Sequence, residues 1–264
     1  MPELPEVETV LRTLAPRLAG RRVIDARFYS RLVLRGNPET AAARLRGRVI
    51  RGLERRGKFL VLDLGEGATL TIHLGMTGRL LWQGTPGPYT RAVLILDRGR
   101  LVYDDVRQFG RIELARALPG RVARLGPDAL AIPEPEFAAR LRARRGRIKP
   151  LLLNQAFVSG LGNIYTDEAL YRARIHPRAI ASRLSRERVR RLYQAIREVL
   201  GAAISSGGSS VSDYVDGEGR AGFFQFQHQV YGRTGEPCPA CGTPIRRIVI
   251  AQRGTHYCPK CQRV

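Results

Sequence analysis

Lysine is nearly absent from this chain. Of 45 basic residues only Lys58, Lys149 and Lys260 are lysine, so each is conspicuous among the arginines. Acid is also scarce. Asp plus Glu number 23, which leaves a formal net charge of +22. An excess of that size in a folded chain calls for a polyanion, with nucleic acid the leading candidate. No run approaches 18 apolar residues, which excludes a membrane-spanning helix by hydropathy. No strongly basic amphipathic helix offers itself to a membrane surface either. The opening MPELPEVE is acidic and lacks the apolar stretch of a signal peptide, so the expected location is the cytoplasm. Cysteine does not occur before Cys238.

What is present is globular composition. Hydrophobic residues make up 44% and charged residues 26% of 264, enough for one large domain or two ordinary ones. Val7, Val10, Leu11, Leu14 and Leu18 recur at helical spacing, so Glu6 to Leu18 reads as a helix stopped by Gly20. From Arg22 to Ala115 the texture is of short strands between glycine turns: 23–28, 49–53, 59–64, 69–74, 92–96 and 101–103. Pro119, Gly120, Gly126, Pro127, Pro133 and Pro135 mark a linker, after which helices are expected at 136–144, 148–155, 163–173 and 185–205. Ser205 to Gly222, rich in Ser and Gly, reads as a mobile loop. The expected class is α+β: a β-sandwich domain over 1–116 with a long N-terminal helix, a linker over 117–135, a helical domain over 136–224 and a cysteine module over 225–264.

Cys238, Cys241, Cys258 and Cys261 form C-x2-C-x16-C-x2-C, the spacing of a tetrahedral four-cysteine zinc site with no position left for a reactant. One structural Zn2+ would staple a hairpin too small to bury a core. Disulfides are disfavoured without an export signal, and a redox pair would not explain two knuckles so close together. Arg246, Arg247, Gln252, Arg253 and His256 lie between the knuckles. They suit either a nucleic-acid probe or a solvated basic loop.

Pro2-Glu3-Leu4-Pro5-Glu6-Val7-Glu8 admits two readings. Acidic residues and a first-turn proline favour a helix N-terminus. Alternatively, loss of Met1 would leave Pro2 with a secondary amine. An α-amino group has a pKa of about 8, so roughly a tenth of it is neutral at pH 7. Such an amine can form a Schiff base with a sugar C1′, with Glu3 shuttling protons. Gly160-Leu161-Gly162-Asn163 ahead of a helix is a candidate phosphate cradle.

Seven segments in order resemble the formamidopyrimidine-DNA glycosylases of the Fpg/Nei group: PELPEVE at 2–8, RRGKFL at 55–60, HLGMTGRL at 73–80, DDVRQFGR at 104–111, IKPLLLNQ at 148–155, GLGNIYTDEALY at 160–171 and QRGTHYC at 252–258 within the four-cysteine finger. Leu4, where the Nei branch usually has Gly, favours the Fpg branch. The resemblance implies a bifunctional enzyme that excises 8-oxoguanine and formamidopyrimidines from duplex DNA and cuts the strand by β,δ-elimination. Pro2 then matches the nucleophile and Glu3 the general acid/base. Glu6 matches an acidic position that organises the site. Lys58 matches the donor for β-elimination, and Arg253 the residue assigned to δ-elimination and to a phosphate. Met76, Arg107 and Phe109 match the side chains that fill the space of an extruded base. His73, Arg145, Lys149 and Asn163 match further DNA contacts, and 160–173 belongs to a helix–two-turn–helix element. Tyr89, in Tyr89-Thr90-Arg91, stands where family members often carry His. The loop at 211–222 would cover the flipped base. The expected state is a monomer with damaged double-stranded DNA in a basic cleft, no membrane partner, and one zinc. A Nei-like glycosylase for oxidised pyrimidines and a non-catalytic zinc-finger DNA binder are the alternatives.

Overall fold

The computed structural model describes residues 1–263. The chain divides into two compact units, one made of Met1–Arg124 with Ser206–Phe223, the other of Leu125–Ser205 with Phe224–Val264.

The first unit opens with α1 (Leu4–Leu18), whose buried face carries Leu4, Val7, Val10, Leu14 and Leu18, as the periodicity requires. Then come β1 (Val23–Phe28), β2 (Leu34–Arg35), α2 (Pro38–Leu45), β3 (Gly52–Arg56), β4 (Phe59–Asp63), β5 (Thr69–His73), β6 (Arg79–Trp82), β7 (Thr90–Leu96), β8 (Arg100–Asp104), β9 (Arg111–Ala115) and the short α3 (Gly120–Ala123). The strands form a four-stranded sheet in the order β1-β7-β8-β6 and a five-stranded sheet in the order β2-β9-β5-β4-β3. Their inner faces share one core, which includes Leu60, Leu62, Leu70, Ile72 and Ile112 from one sheet and Ala92, Leu94, Leu101 and Tyr103 from the other. This is the expected sandwich.

Helix α2 lies in a stretch that reads from sequence as short strands with little helix. Its signals are local: Asn37 accepts from the Thr40 N–H at 3.0 Å, and Pro38 sits at the first turn. Ala41, Ala42 and Leu45 bury its inner face. A second difference concerns 206–223, most of the stretch Ser205 to Gly222 that reads from sequence as a mobile loop, in a helical domain over 136–224. It packs within the first unit instead. The Trp82 N–H donates to the Gly217 carbonyl at 2.8 Å, Gly217 N–H to Thr13 Oγ1 at 3.0 Å, and Arg79 Nε to the Asp213 carbonyl at 2.7 Å. Backbone groups of a polar loop need partners, and here the sandwich and α1 supply them.

The second unit contains α4 (Glu134–Arg142), α5 (Ile148–Leu153), α6 (Asn163–Arg172) and α7 (Arg186–Ser205), then the hairpin of β10 (Arg246–Ile250) and β11 (Arg253–Tyr257). Between α5 and α6 the Gln155 side chain holds both turns. It donates to the Leu153 and Leu161 carbonyls and accepts from the Gly160 N–H. Gly160 has φ of +105°, which a side chain would resist. Among the described residues no helix is long and apolar enough to cross a membrane.

Candidate functional site

At the start of α1 the fold buries the groups that a surface helix cap would expose. Pro2 is buried, and Glu3 and Glu6 are each 2% exposed. The two carboxylates form a reciprocal cap. Glu3 accepts from the Glu6 N–H, and Glu6 Oε2 accepts from the Glu3 N–H at 2.8 Å. Glu6 Oε1 also accepts from the Ser209 N–H at 2.8 Å, and the Tyr214 hydroxyl donates to the Glu6 carbonyl at 3.2 Å. Gly208 approaches so closely, at φ of +85°, that a Cβ would lie 3.1 Å from Glu6 Oε1. Glu6 thus binds the segment 206–223 to the chain's N-terminal turn. Sequence reasoning gives it an organising role without these partners, which lie some two hundred residues away. Met1 is exposed.

Lys58 is 5% exposed and sits in the two-residue turn Gly57-Lys58 that joins β3 to β4. A half-buried ion pair, Arg55 Nε to Glu8 Oε2 at 2.8 Å, ties that hairpin to α1. Burial works to raise the Glu8 carboxyl, but Arg55 and Arg12 outweigh it and hold the group below its usual range. His73 ends β5 with its ring 4.8 Å from that of Phe59. Burial first, then the cations of Lys58, Arg121 and Arg111, push its pKa down to about 4. The imidazole is therefore neutral at pH 7. Its Nδ1 accepts from the Gly75 N–H at 3.1 Å, which leaves the proton on Nε2.

Two turns cross to bring Met76, Arg107 and Phe109 together. Asp105, fully buried, is their anchor. It accepts from the Thr77 hydroxyl at 2.5 Å, the Gly110 N–H at 2.8 Å and the Tyr103 hydroxyl at 3.3 Å. Thr77 Oγ1 in turn accepts from the Arg107 N–H. The crossing leaves no room for side chains. A Cβ on Gly75 would lie 2.5 Å from the Gly110 nitrogen, and one on Gly110 would lie 1.7 Å from Tyr103 Oη. Met76 and Phe109 nonetheless stand 40% and 52% exposed, and the Arg107 guanidinium lies 4.6 Å over the Phe109 ring. Tyr89 is exposed on the same rim, where its carbonyl accepts from the Asp105 N–H.

In the second unit, Arg145 is exposed and Arg253 is exposed at the hairpin tip. The tip turn runs through Ala251 and Gln252 at φ of +49° and +59°. Such a turn ordinarily selects Asn-Gly, so two non-glycine residues there store strain, as functional tips do. Lys149 differs from the expectation of a phosphate contact. It is fully buried, with Nζ 2.6 Å from Asp167 Oδ1 and 3.2 Å from the Gly254 carbonyl. Asp167 Oδ2 accepts from the His256 N–H at 2.8 Å. Asn163 heads α6, and its Nδ2 donates to the same Gly254 carbonyl at 2.9 Å. Lys149, Asp167 and Asn163 therefore hold the hairpin just behind Arg253, and the Lys149 ammonium does not reach outward. The spacing of these residues carries no sign of that pairing.

The four cysteine sulfurs lie within 4.8 Å of one another, with Cys241 and Cys258 at 3.5 Å and Cys238 and Cys261 at 3.9 Å. Zn–S bonds of about 2.3 Å in a tetrahedron place sulfurs about 3.8 Å apart, so the cluster fits one zinc. The Cys241 and Gly242 N–H groups turn back to the Cys238 carbonyl, as a metal knuckle requires. The site holds one structural zinc ion and, with four thiolates, has no position for a reactant.

Three family profiles match in order: the formamidopyrimidine-DNA glycosylase N-terminal domain over residues 1–112, its H2TH domain over 125–215, and a zinc finger found in FPG and IleRS over 235–264. The chain is 59% identical over 264 residues to a formamidopyrimidine-DNA glycosylase of Solibacter usitatus (strain Ellin6076), covering 100% of both. Among solved structures it is similar to a Lactococcus lactis FPG mutant in complex with a Fapy-dG containing DNA. The TM-score is 0.92, with 38% identity and 100% of each chain covered. It is also similar to a MutM in complex with carbocyclic 8-oxo-G containing DNA, with a TM-score of 0.90, 39% identity and 100% of each chain covered.

Proposed function

The chain belongs to the formamidopyrimidine-DNA glycosylase family, and from that premise we propose that it excises oxidised purines from duplex DNA and then cuts the strand as a β,δ-lyase. The observation that carries the reading is the burial of Pro2 and Glu3 at the N-terminal end of α1. A helix cap works equally well facing solvent, whereas here the fold withdraws the Glu3 carboxylate and Pro2 from water together.

With Met1 removed, the Pro2 nitrogen attacks C1′ and the base departs with the N-glycosidic electron pair. Glu3 shuttles the proton that the sugar and the base exchange. The Pro2 N–H proton is lost to give an aminal; protonation of O4′ then lets the C1′–O4′ bond break, and the Pro2 lone pair closes an iminium at C1′ of the opened sugar. Loss of a C2′ proton then expels the 3′ phosphate, and a second elimination expels the 5′ phosphate. Lys58 is the proton donor of the first elimination. Arg253 keeps its proton at any working pH, so its role is to hold phosphate charge as the ester departs. Met76 and Phe109 enter the stack in place of the extruded base, while Arg107 hydrogen-bonds the orphaned cytosine. Tyr89, His73 and Arg145 are contacts to the DNA backbone. The substrates named for the L. lactis and MutM complexes, Fapy-dG and 8-oxo-G, are those proposed for this chain. The working state is a cytoplasmic monomer on damaged DNA.

Borohydride trapping on an abasic duplex tests the covalent step. Wild-type protein lacking Met1 is expected to cross-link, and Pro2→Gly to bind the duplex but trap poorly. Full trapping by protein with a blocked N-terminus would move the nucleophile to Lys58. Excision of 8-oxoguanine in preference to thymine glycol is expected; the reverse would place the chain with the pyrimidine-specific branch.

A further inference from the structure

A cavity of about 220 Å³ opens in the first unit against β4, β5 and β9, and no residue of the N-terminal turn of α1 lines it. Arg35, Arg111 and Arg121 line it, together with the rings of Phe59, His73 and Phe109. Unpaired arginines are common in a chain of +22, and most are simply solvated. This group differs because three arginines line one concavity. Among the described residues, neither Arg35 nor Arg121 forms an ion pair or a side-chain hydrogen bond. Arg111 spends its Nη1 on the backbone carbonyls of Leu32 and Gly110, which fix its position without cancelling its charge. The one carboxylate of the lining, Glu113, is in no ion pair among the described residues. Three guanidiniums and one carboxylate leave the lining with an excess of positive charge, whose repulsion an anion would relieve.

The remaining lining suits the same ligand. The neutral His73 ring, with Nδ1 occupied by the Gly75 N–H, offers Nε2–H as a donor. Phe109 forms a wall of the cavity while its ring also carries the Arg107 guanidinium. Size narrows the choice. Sites for whole small molecules run from about 300 to 1,000 Å³, so this cavity suits a single charged group better than an entire nucleotide.

We infer that Arg35, Arg111 and Arg121 form a phosphodiester site that grips a DNA backbone phosphate beside the Phe109 wedge. The inference rests on the wedge role proposed above. A backbone clamp at this position fixes the strand while Phe109 displaces a base from it, so extrusion does not drag the duplex along.

The test compares wild type with Arg35→Gln, Arg121→Gln and the double variant, with Arg44→Gln as a charge-matched control. Arg44 is exposed on α2 and lines no part of the cavity. Binding to a duplex with a tetrahydrofuran abasic analogue is followed by anisotropy across a salt series. The double variant is expected to reduce the slope of log affinity against log salt by about one, the share of one phosphate, and each single variant by less. At moderate salt the double variant should lose on the order of tenfold in affinity, on damaged and undamaged duplex alike. Arg44→Gln should leave the slope unchanged, and Arg35→Lys with Arg121→Lys should retain it. Slopes unchanged in the double variant, or reduced equally by Arg44→Gln, would overturn the site. So would inorganic phosphate shifting the Arg35 and Arg121 Nε–H resonances while the duplex slope stays as in wild type; the cavity would then take free anions only. Borohydride trapping by wild type, run in parallel, keeps the two readings apart. Trapping with unchanged slopes removes the clamp and leaves the enzyme, whereas altered slopes without trapping do the reverse.

Discussion

Two of the three lysines in this arginine-rich chain are buried, and they are buried for different work. Lys58 sits 5% exposed in the β3–β4 turn, where a side chain able to give up a proton has a use. Lys149 is paired with Asp167 at 2.6 Å with both side chains fully inaccessible. A compact ammonium can donate to Asp167 and the Gly254 carbonyl from one point, which a flat guanidinium could not match without displacing α6. The pair carries a prediction. Asp167→Asn leaves a buried ammonium uncompensated and is expected to destabilise the second unit by about 3 kcal/mol or more. Lys149→Met combined with Asp167→Leu should cost less than Asp167→Asn alone, because no charge is stranded. Urea unfolding of the variants measures both, and a neutral Asp167→Asn would show that the pair is not the support it is taken for.

At the scale of elements, the segment 206–223 depends on Glu6, and the hairpin depends on zinc. Gly208→Ala would place a methyl against Glu6 at a backbone angle that alanine resists. The expected outcome is a displaced segment, with borohydride trapping down at least severalfold and the unfolding midpoint of the protein lowered only modestly. Cys258→Ser removes the most buried of the four thiolates. Zinc content by atomic absorption should fall below one per chain, and the β10–β11 hairpin should loosen. DNA affinity should then drop before helical signal is lost, since Arg253 sits at the hairpin tip and the helices keep their own core. Retained affinity in a metal-free variant would separate the tip from DNA binding.

At the scale of the molecule, acid is the condition to which the fold is exposed. His73 and His228 both have pKa values pushed down to about 4, His73 by burial and then Lys58, Arg121 and Arg111, His228 by burial and then His256. The unfolded chain would bind these protons near pH 6.5. Between pH 6.5 and 4 the unfolded state therefore holds more protons than the folded one, and stability falls as pH falls through that window. Above pH 6.5 the two histidines contribute no slope. Each is expected to remove about 2 kcal/mol by pH 5. His73→Gln should flatten the acid limb of a plot of urea midpoint against pH, and an unaltered limb would assign the acid sensitivity elsewhere. The net charge of +22 adds self-repulsion that grows in the same direction.

Local pattern is what can be read from the residues without coordinates. C-x2-C-x16-C-x2-C specifies the zinc ligands because knuckle geometry depends on near neighbours alone. The apolar stripe of α1 specifies its buried side, and the glycines around Met76 and Phe109 announce tight turns. Helix α2 is legible too, through Asn37 and Pro38, although the strand-rich stretch around it masks the signal. Three features come from packing across the chain: Lys149 turns inward, Ser209 closes on Glu6 across 203 residues, and three arginines from separate segments share one cavity. Each of these depends on contacts between positions far apart in the chain. Composition and spacing do not encode such contacts; packing and the need to satisfy buried polar groups do.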